Sequence, residues 1–333
     1  MSILIVGDLH FQIQNFIQVE QFCIQIYELL KKDNIVHVIF LGDILHCHDK
    51  LDTIVLNYVL NFFNNIVKIC NITVLVGNHD MINNTNYCNP QGHWMNCLKL
   101  NDKIKIVDVP MALDICGLKF LGMPYVYVGR FNEALNDYNF NPNDFDFCLA
   151  HQEFKDCKMG AFNSTKGDEY NFNTLCISGH IHNYQKYNNI LYTGSAFEHS
   201  FGSSKCFLFL INVKSKEIEK IDSIVESKNI FYKKLKFENE KFVLNSKLKM
   251  PSSGKKLNKL VIEVESLQNF KEWLIGEEGK LVEKNYIITY KFIESNEKEN
   301  YKNFQKKNDV LDNFLFEIEK LNSKDLKNLL PKV

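Results

Sequence analysis

The chain has 333 residues, 45% of them hydrophobic and 24% charged, with a formal net charge of −1, so a soluble globular protein with one large domain or two ordinary ones is expected. No apolar run approaches the roughly 18 residues that would span a bilayer, and "MSILIVGDLH" reads as a buried strand rather than a basic-then-apolar leader, so no membrane partner is expected. Ten cysteines occur without a CxxC pair, several inside apolar runs such as "DFCLAH" and "KCFLFLI", which points to buried free thiols in a reducing, intracellular setting.

In chain order, "SILIVGD" (2–8) predicts a buried strand, and residues 15–33 carry helical spacing through Phe16, Val19, Phe22, Cys23, Ile26 and Leu30. "IVHVIFLGD" (35–43) predicts a second strand, 51–67 a second helix, and "ITVLV" (72–76) a third strand. Continuous apolar strands alternating with helices indicate parallel pairing in an α/β core. After residue 100 the runs shorten ("KIKIVDV", "LKFLGMP", "DFCLAH", "TLCISGH", "ILYTGS", "KCFLFLINV") and predict mostly strands. Together these predict a four-layer α/β sandwich over 1–224, two packed sheets flanked by helices.

Beyond residue 224 the charge changes sign. Residues 1–227 hold 17 basic and 24 acidic side chains, whereas 228–333 hold 22 and 16. Ten lysines fall in 228–260 against two glutamates, Glu238 and Glu240. That segment is either a solvated lysine-rich face or a surface that attracts phosphates. Strand-like 259–266, helix-like 267–274 and strand-like 285–293 predict a small α+β domain over 228–300. An amphipathic helix over 309–321 and a short one after Ser323 make 301–333 a C-terminal helical segment that could dock a partner or pack on its own domain.

Five strand ends carry the chemistry. They are "VGDLH" with Asp8 and His10, "LGDILH" with Asp43 and His46, "VGNHD" with Asn78, His79 and Asp80, "LAHQE" with His151, and "SGHIH" with His180 and His182. Six of the ten histidines lie in these places. Open α/β sheets bind ligands at the carboxyl ends of their strands. One such His alone would be a satisfied imidazole, and one Gly-Asp a turn. Five together would aim several charged or basic groups at one cleft, which is costly unless divalent cations satisfy them. Imidazole, carboxylate and amide without cysteine suits Mn, Fe or Zn in an open catalytic centre rather than a structural zinc site. Asp43, alone on its strand, is the best bridging carboxylate between two ions. Such a pair supplies the Lewis acidity for in-line hydrolysis of a phosphate ester. Asn78 would be a neutral oxygen ligand, and His79 would face the substrate and contact the scissile phosphate or protonate the leaving oxygen. Asp80 would hold the His79 imidazole in its useful tautomer, or else cap a helix. His37 and His93 read as structural, and His48 and His199 have no assigned role.

The series "GDLH … GDILH … GNHD … H … GHIH" resembles the calcineurin-like metallophosphoesterase superfamily over roughly residues 3–200. His46, "YTGSAFEHSFG" (192–202) and "HQEFKDCKMGA" are similar to its SbcD, phage recombination-nuclease and double-strand-break-repair nuclease branch, viral and phage members above all, although Ala196 stands where proline is common. The resemblance implies one ion on Asp8, His10, Asp43 and His182, a second on Asp43, Asn78, His151 and His180, and a role for His46 in exonuclease action. It implies two divalent ions, most simply Mn2+, and exonuclease and single-strand endonuclease action on DNA in repair and recombination. It also implies an SMC-like ATPase partner, a homodimer, and a capping domain at 228–300 that positions DNA. Lys233, Lys234, Lys236, Lys247, Lys249, Lys255 and Lys256 are then the candidate DNA contacts.

Two other functions compete. A metallophosphoesterase acting on a small phosphodiester, nucleotide or phosphoprotein would keep the metals but has no need of the lysine-rich segment. A binding or scaffold protein with a dead site would lack a ligand, and none of the eight positions is lacking.

Overall fold

The computed structural model describes residues 1–292 except 47, 49, 161, 200–204, 226–229, 239, 240, 247 and 249–257. The C-terminal helical segment at 301–333, and Lys247, Lys249, Lys255 and Lys256, therefore lie outside the described residues.

The first half alternates as its apolar spacing requires: β1 (Ser2–Val6), α1 (Phe16–Lys32), β2 (Ile35–Phe40), α2 (Thr53–Ile66), β3 (Asn71–Leu75) and β4 (Ile104–Val107). Next come β5 (Met111–Ile115), β6 (Leu118–Gly122), α3 (Phe131–Asp137), β7 (Phe147–Ala150), the short hairpin β8 (Lys158–Met159) and β9 (Phe162–Asn163), β10 (Leu175–Ser178), β11 (Gln185–Tyr187), β12 (Ile190–Tyr192), β13 (Phe207–Asn212) and β14 (Ile218–Asp222). The remainder is β15 (Ile230–Glu238), β16 (Lys241–Leu244), β17 (Asn258–Val264), α4 (Leu267–Ile275), α5 (Glu277–Asn285) and β18 (Tyr286–Phe292).

Two six-stranded sheets, ordered β14-β13-β1-β2-β3-β4 and β11-β12-β10-β7-β6-β5, share an apolar layer. Alternation along each strand builds it. Ile3 and Ile5 of β1 meet Leu149, Ile177 and Phe120 between the sheets. Leu4 and Val6 face the other way, onto Phe22 and Ile26 of α1 and Phe62 and Phe63 of α2. On the far side, Cys148, Cys176 and Tyr192 cover Phe131 and Leu135 of α3. Strands buried on both faces must be apolar throughout, which is why they read as continuous runs. Each fully buried Phe or Leu contributes on the order of 2 kcal/mol. The result is the four-layer α/β/β/α sandwich.

Helix α2 starts where Asp52 accepts hydrogen bonds from the Ile54 and Val55 backbone N–H groups, a cap of about 1 kcal/mol. Its start fixes the loop that follows β2, and with it one wall of the site below.

A third sheet, ordered β16-β15-β17-β18, has its own core of Leu260, Ile262, Val264, Trp273, Val282 and Tyr286. Its strands and the helices α4 and α5 pack together on that core. Strand alternation separates the candidate lysines. Lys233 shares a face with Phe231 and Leu235, which pack on this core, and its ammonium bonds Ser246 Oγ. Lys234 and Lys236 lie on the opposite face with exposed Tyr232, and Lys234 pairs with Glu263 at 3.3 Å. Lys233 thus lies on the core side of this sheet, and Lys234 and Lys236 on the other.

Among the described residues no helix is long and apolar enough to cross a membrane. Nine cysteines among the described residues are free thiols, five of them at Cys23, Cys70, Cys148, Cys157 and Cys176 in the sandwich cores.

Candidate metal centre

The strand ends converge. β1, β2 and β3 are parallel neighbours in one sheet, and β7 and β10 are parallel neighbours in the other, so their carboxyl ends share one rim of the sandwich. Asp8, Asp43, Asn78 and His151 are all buried there, as is His10.

Two donor groups share the carboxylate of Asp43. On one side, His10 Nε2 lies 3.4 Å from Asp43 Oδ2 and 3.0 Å from His182 Nε2, and His182 Nε2 is 3.6 Å from Asp8 Oδ2. On the other, His151 Nε2 lies 3.3 Å from the same Asp43 oxygen and 3.1 Å from Asn78 Oδ1, which is 2.9 Å from His180 Nδ1. Donor atoms of Asp8, His10 and His182, and of Asp8, Asp43 and His151, fall within 4.8 Å of one another.

The donor chemistry tests whether cations fit. His151 Nδ1–H donates to the Leu41 carbonyl at 2.7 Å. In the neutral ring its Nε2 then presents a lone pair, and it faces a carboxylate oxygen and an amide oxygen. Lone pairs aimed at one point repel unless a cation or a proton stands between them. Divalent ions would satisfy the set, and the Leu41 carbonyl would fix the tautomer of a ligating His151 from behind. Asn78 is held oxygen-inward because its Nδ2 donates to Asn84 Oδ1 at 3.4 Å.

Charge is strongly perturbed here. Burial pushes the Asp8 carboxyl up to about 7, against the pull of His151 and with help from Asp43. Burial also pushes on Asp43, but His151, and then His10 and His79, hold its carboxyl well below the usual range. His151 is buried too, yet Asp43 and Asp8 raise it to about 9. Burial, reinforced by neighbouring imidazoles, lowers His10, His182 and His180, the last to about 3. The three lowered imidazoles are therefore neutral at physiological pH, the form a metal needs.

Backbone strain marks the same place. His10, Asp43 and His180 have φ of 42°, 50° and 78°, left-handed values uncommon outside glycine. Glycine is required beside them. A Cβ on Gly77 would overlap the Asp43 carboxylate, and one on Gly179 would lie 2.5 Å from Asp8 Oδ1.

The candidate catalytic residues flank these donors, and the donor atoms of His46 and His79 also lie within 4.8 Å of one another and of His10. His79 stacks on His46 (ring centroids 5.4 Å apart) and on His48 (4.5 Å), and its backbone N–H donates to Asp43 Oδ1 at 2.8 Å. His46 Nδ1 lies 3.3 Å from His10 Nδ1, so it orients a ligand imidazole from behind. Asp80 departs from its expected role. Its carboxylate does not bond His79; it takes the N–H groups of Gly77, Ile44 and Leu45 and the Trp94 indole. Nor is it a helix cap. It ties the third motif's turn to the second, while His79 Nδ1 is bonded by the His46 carbonyl.

Sequence reasoning missed four contributors: Trp94, Asn84, His48 and His199. His199 Nε2–H donates to the Asp8 carbonyl at 3.2 Å, its ring 4.9 Å from that of His10. The only signal for these was closeness to a motif. His37 bonds Thr73 Oγ1 and His93 bonds Asp108, both structural roles.

A sandwich whose strand ends gather imidazole, carboxylate and amide around one shared carboxylate defines a metal-dependent phosphoester hydrolase. Residues 1–184 match the calcineurin-like phosphoesterase family. The chain is 43% identical over 208 residues to the "Putative phosphoesterase 244L" of Invertebrate iridescent virus 6, covering 61% of this chain and 73% of that one. It is 33% identical over 304 residues to the "Putative phosphoesterase 078R" of Invertebrate iridescent virus 3, covering 89% and 86%. A solved archaeal phosphodiesterase aligns over 67% of this chain and 99% of its own, at 16% identity and a TM-score of 0.38. The chain belongs to the calcineurin-like phosphoesterase family, whose members use divalent metals.

Proposed function

We propose that the chain is a two-metal DNA nuclease with exonuclease and single-strand endonuclease action, working with Mn2+ in repair or recombination. The observation that carries the reading is the placement of Asp43 Oδ2 at 3.3–3.4 Å from imidazole nitrogens on both sides, which divides seven donor residues into two groups that share Asp43. Asp8, His10, Asp43 and His182 would hold one ion, and Asp43, Asn78, His151 and His180 the other. When bound, the ions supply Lewis acidity and a nucleophile at neutral pH. The protein's own residues do the rest. His46 and the Leu41 carbonyl orient ligand imidazoles, Asp43 anchors the His79 backbone, and the His79 ring stands beside the donors to contact the phosphate or give a proton to the leaving oxygen.

DNA rather than a small ester or phosphoprotein is supported by the lysine-rich segment and by the open face of the third sheet. That face carries exposed Tyr232 and Lys236, with the Lys291 ammonium 5.6 Å from the Tyr232 ring. Aromatic and cationic side chains on one surface suit single-stranded nucleic acid. An SMC-like ATPase partner and a homodimer follow from the same reading. Incubating the Mn2+-loaded protein with single-stranded, blunt and hairpin DNA tests it: shortening of DNA is expected, and turnover of a chromogenic phosphodiester with every DNA left intact would favour the small-ester alternative.

A further inference from the structure

The two strands that bring Asp8, His10 and Asp43 to the rim continue past it. Phe11 and Leu45 form one more parallel bridge beyond β1 and β2, with the Phe11 N–H bonded to the Ile44 carbonyl at 2.9 Å. That bridge is the floor of a pocket of about 420 Å3, within the range of small-molecule sites.

The pocket adjoins the metal centre through one side chain. His46 lines it, and His46 Nδ1 is 3.3 Å from His10 Nδ1. Its interior is apolar, built from buried Phe11, Leu45 and Val55. Leu51, 40% exposed, forms part of the rim. Gln14 and Lys50 add an amide and an ammonium. Asp52, the one acidic lining residue, is engaged in capping α2.

Resting on the hydrolase reading of the neighbouring centre, we propose that this pocket takes the single nucleoside joined to the scissile phosphate, unstacked from its neighbours. An apolar cavity of this size, one imidazole away from where phosphate would bind, fits a flat base with its sugar. The Gln14 amide suits a base edge, and Lys50 has the sign that suits the next phosphate of a chain. A base taken singly into an apolar pocket must leave its stack, so frayed or single-stranded ends are the preferred substrates.

The test compares two esters with one leaving group, the p-nitrophenyl ester of thymidine 5′-phosphate and methyl p-nitrophenyl phosphate, with Mn2+. The nucleoside ester is expected to have a kcat/KM about tenfold higher or more. Leu51→Trp, which fills the pocket from an exposed position, and Gln14→Ala should both lower that ratio. Equilibrium dialysis of thymidine 5′-monophosphate against methyl phosphate reads the pocket without turnover, and tighter nucleotide binding, weakened by Leu51→Trp, is expected. Equal kcat/KM for the two esters, or equal binding of the two phosphates, overturns the pocket and leaves the hydrolase standing. Hydrolysis of neither ester together with selective nucleotide binding overturns the hydrolase and leaves the pocket standing.

Discussion

His79 Nδ1 lies 2.8 Å from the backbone carbonyl oxygen of His46. A carbonyl can only accept, so this contact keeps a proton on Nδ1 and leaves Nε2 to face the substrate, as an acceptor in the neutral ring and as a proton donor in the imidazolium. The adjacent Asp80, where a partner for that ring would be sought first, is turned inward instead.

His79 and Asp80 should therefore fail in different ways. His79→Ala is expected to keep both metals and its melting temperature while losing about 10²- to 10⁴-fold in turnover. Asp80→Ala leaves four buried N–H groups without their acceptor, and should cost roughly 3 kcal/mol or more of stability. Thermal unfolding and metal analysis on both variants check this. Metal loss in His79→Ala would show that the ring ligates.

Asn78 and His180 contribute only to the second group of donors, so Asn78→Ala and His180→Ala should each lower Mn2+ stoichiometry from two toward one and abolish turnover. Elemental analysis after gel filtration reads the stoichiometry. Two retained ions in either variant would contradict the assignment.

Metal binding should release protons. A ligand must be deprotonated, and Asp8 is pushed up to about 7 mainly by burial, while Asp43 and Asp8 hold His151 near 9 despite burial. In the metal-free protein Asp8 keeps its proton below about pH 7 and His151 below about pH 9. His180, lowered to about 3 by burial, is already neutral and releases none, and burial shifts His10 and His182 in the same direction. Apparent Mn2+ affinity is thus expected to rise as pH increases from 6 to 9. Calorimetric titration in two buffers of different ionisation enthalpy measures the protons released; zero release across that range would contradict the charge assignment.

Much of this was legible in the sequence for a simple reason. Strands such as Leu4–Val6 and Val38–Phe40 are buried on both faces, so they read as unbroken apolar runs, and each polar ending stands out against them. What depended on distant partners was not legible. The partners of Asp80 come from Trp94 and from Ile44 and Leu45, and nothing local to "GNHD" announces them. The left-handed backbone at His10, Asp43 and His180 could not be read from residue type. Helix α5 escaped notice because "EEGKLVEKN" buries only Gly279 and Val282, and α3 because seven residues give two turns of pattern. The split of Lys233 from Lys234 and Lys236 follows from strand alternation, a property that a count of lysines ignores.

The proposed nuclease needs two ions, both held through Asp43, for DNA hydrolysis. Titrating Mn2+ into metal-free protein while following degradation of end-labelled single-stranded DNA tests it most directly. Cleavage should emerge as the second equivalent binds and level off at two. Full activity at one equivalent, or two bound ions with the DNA unchanged, would contradict it.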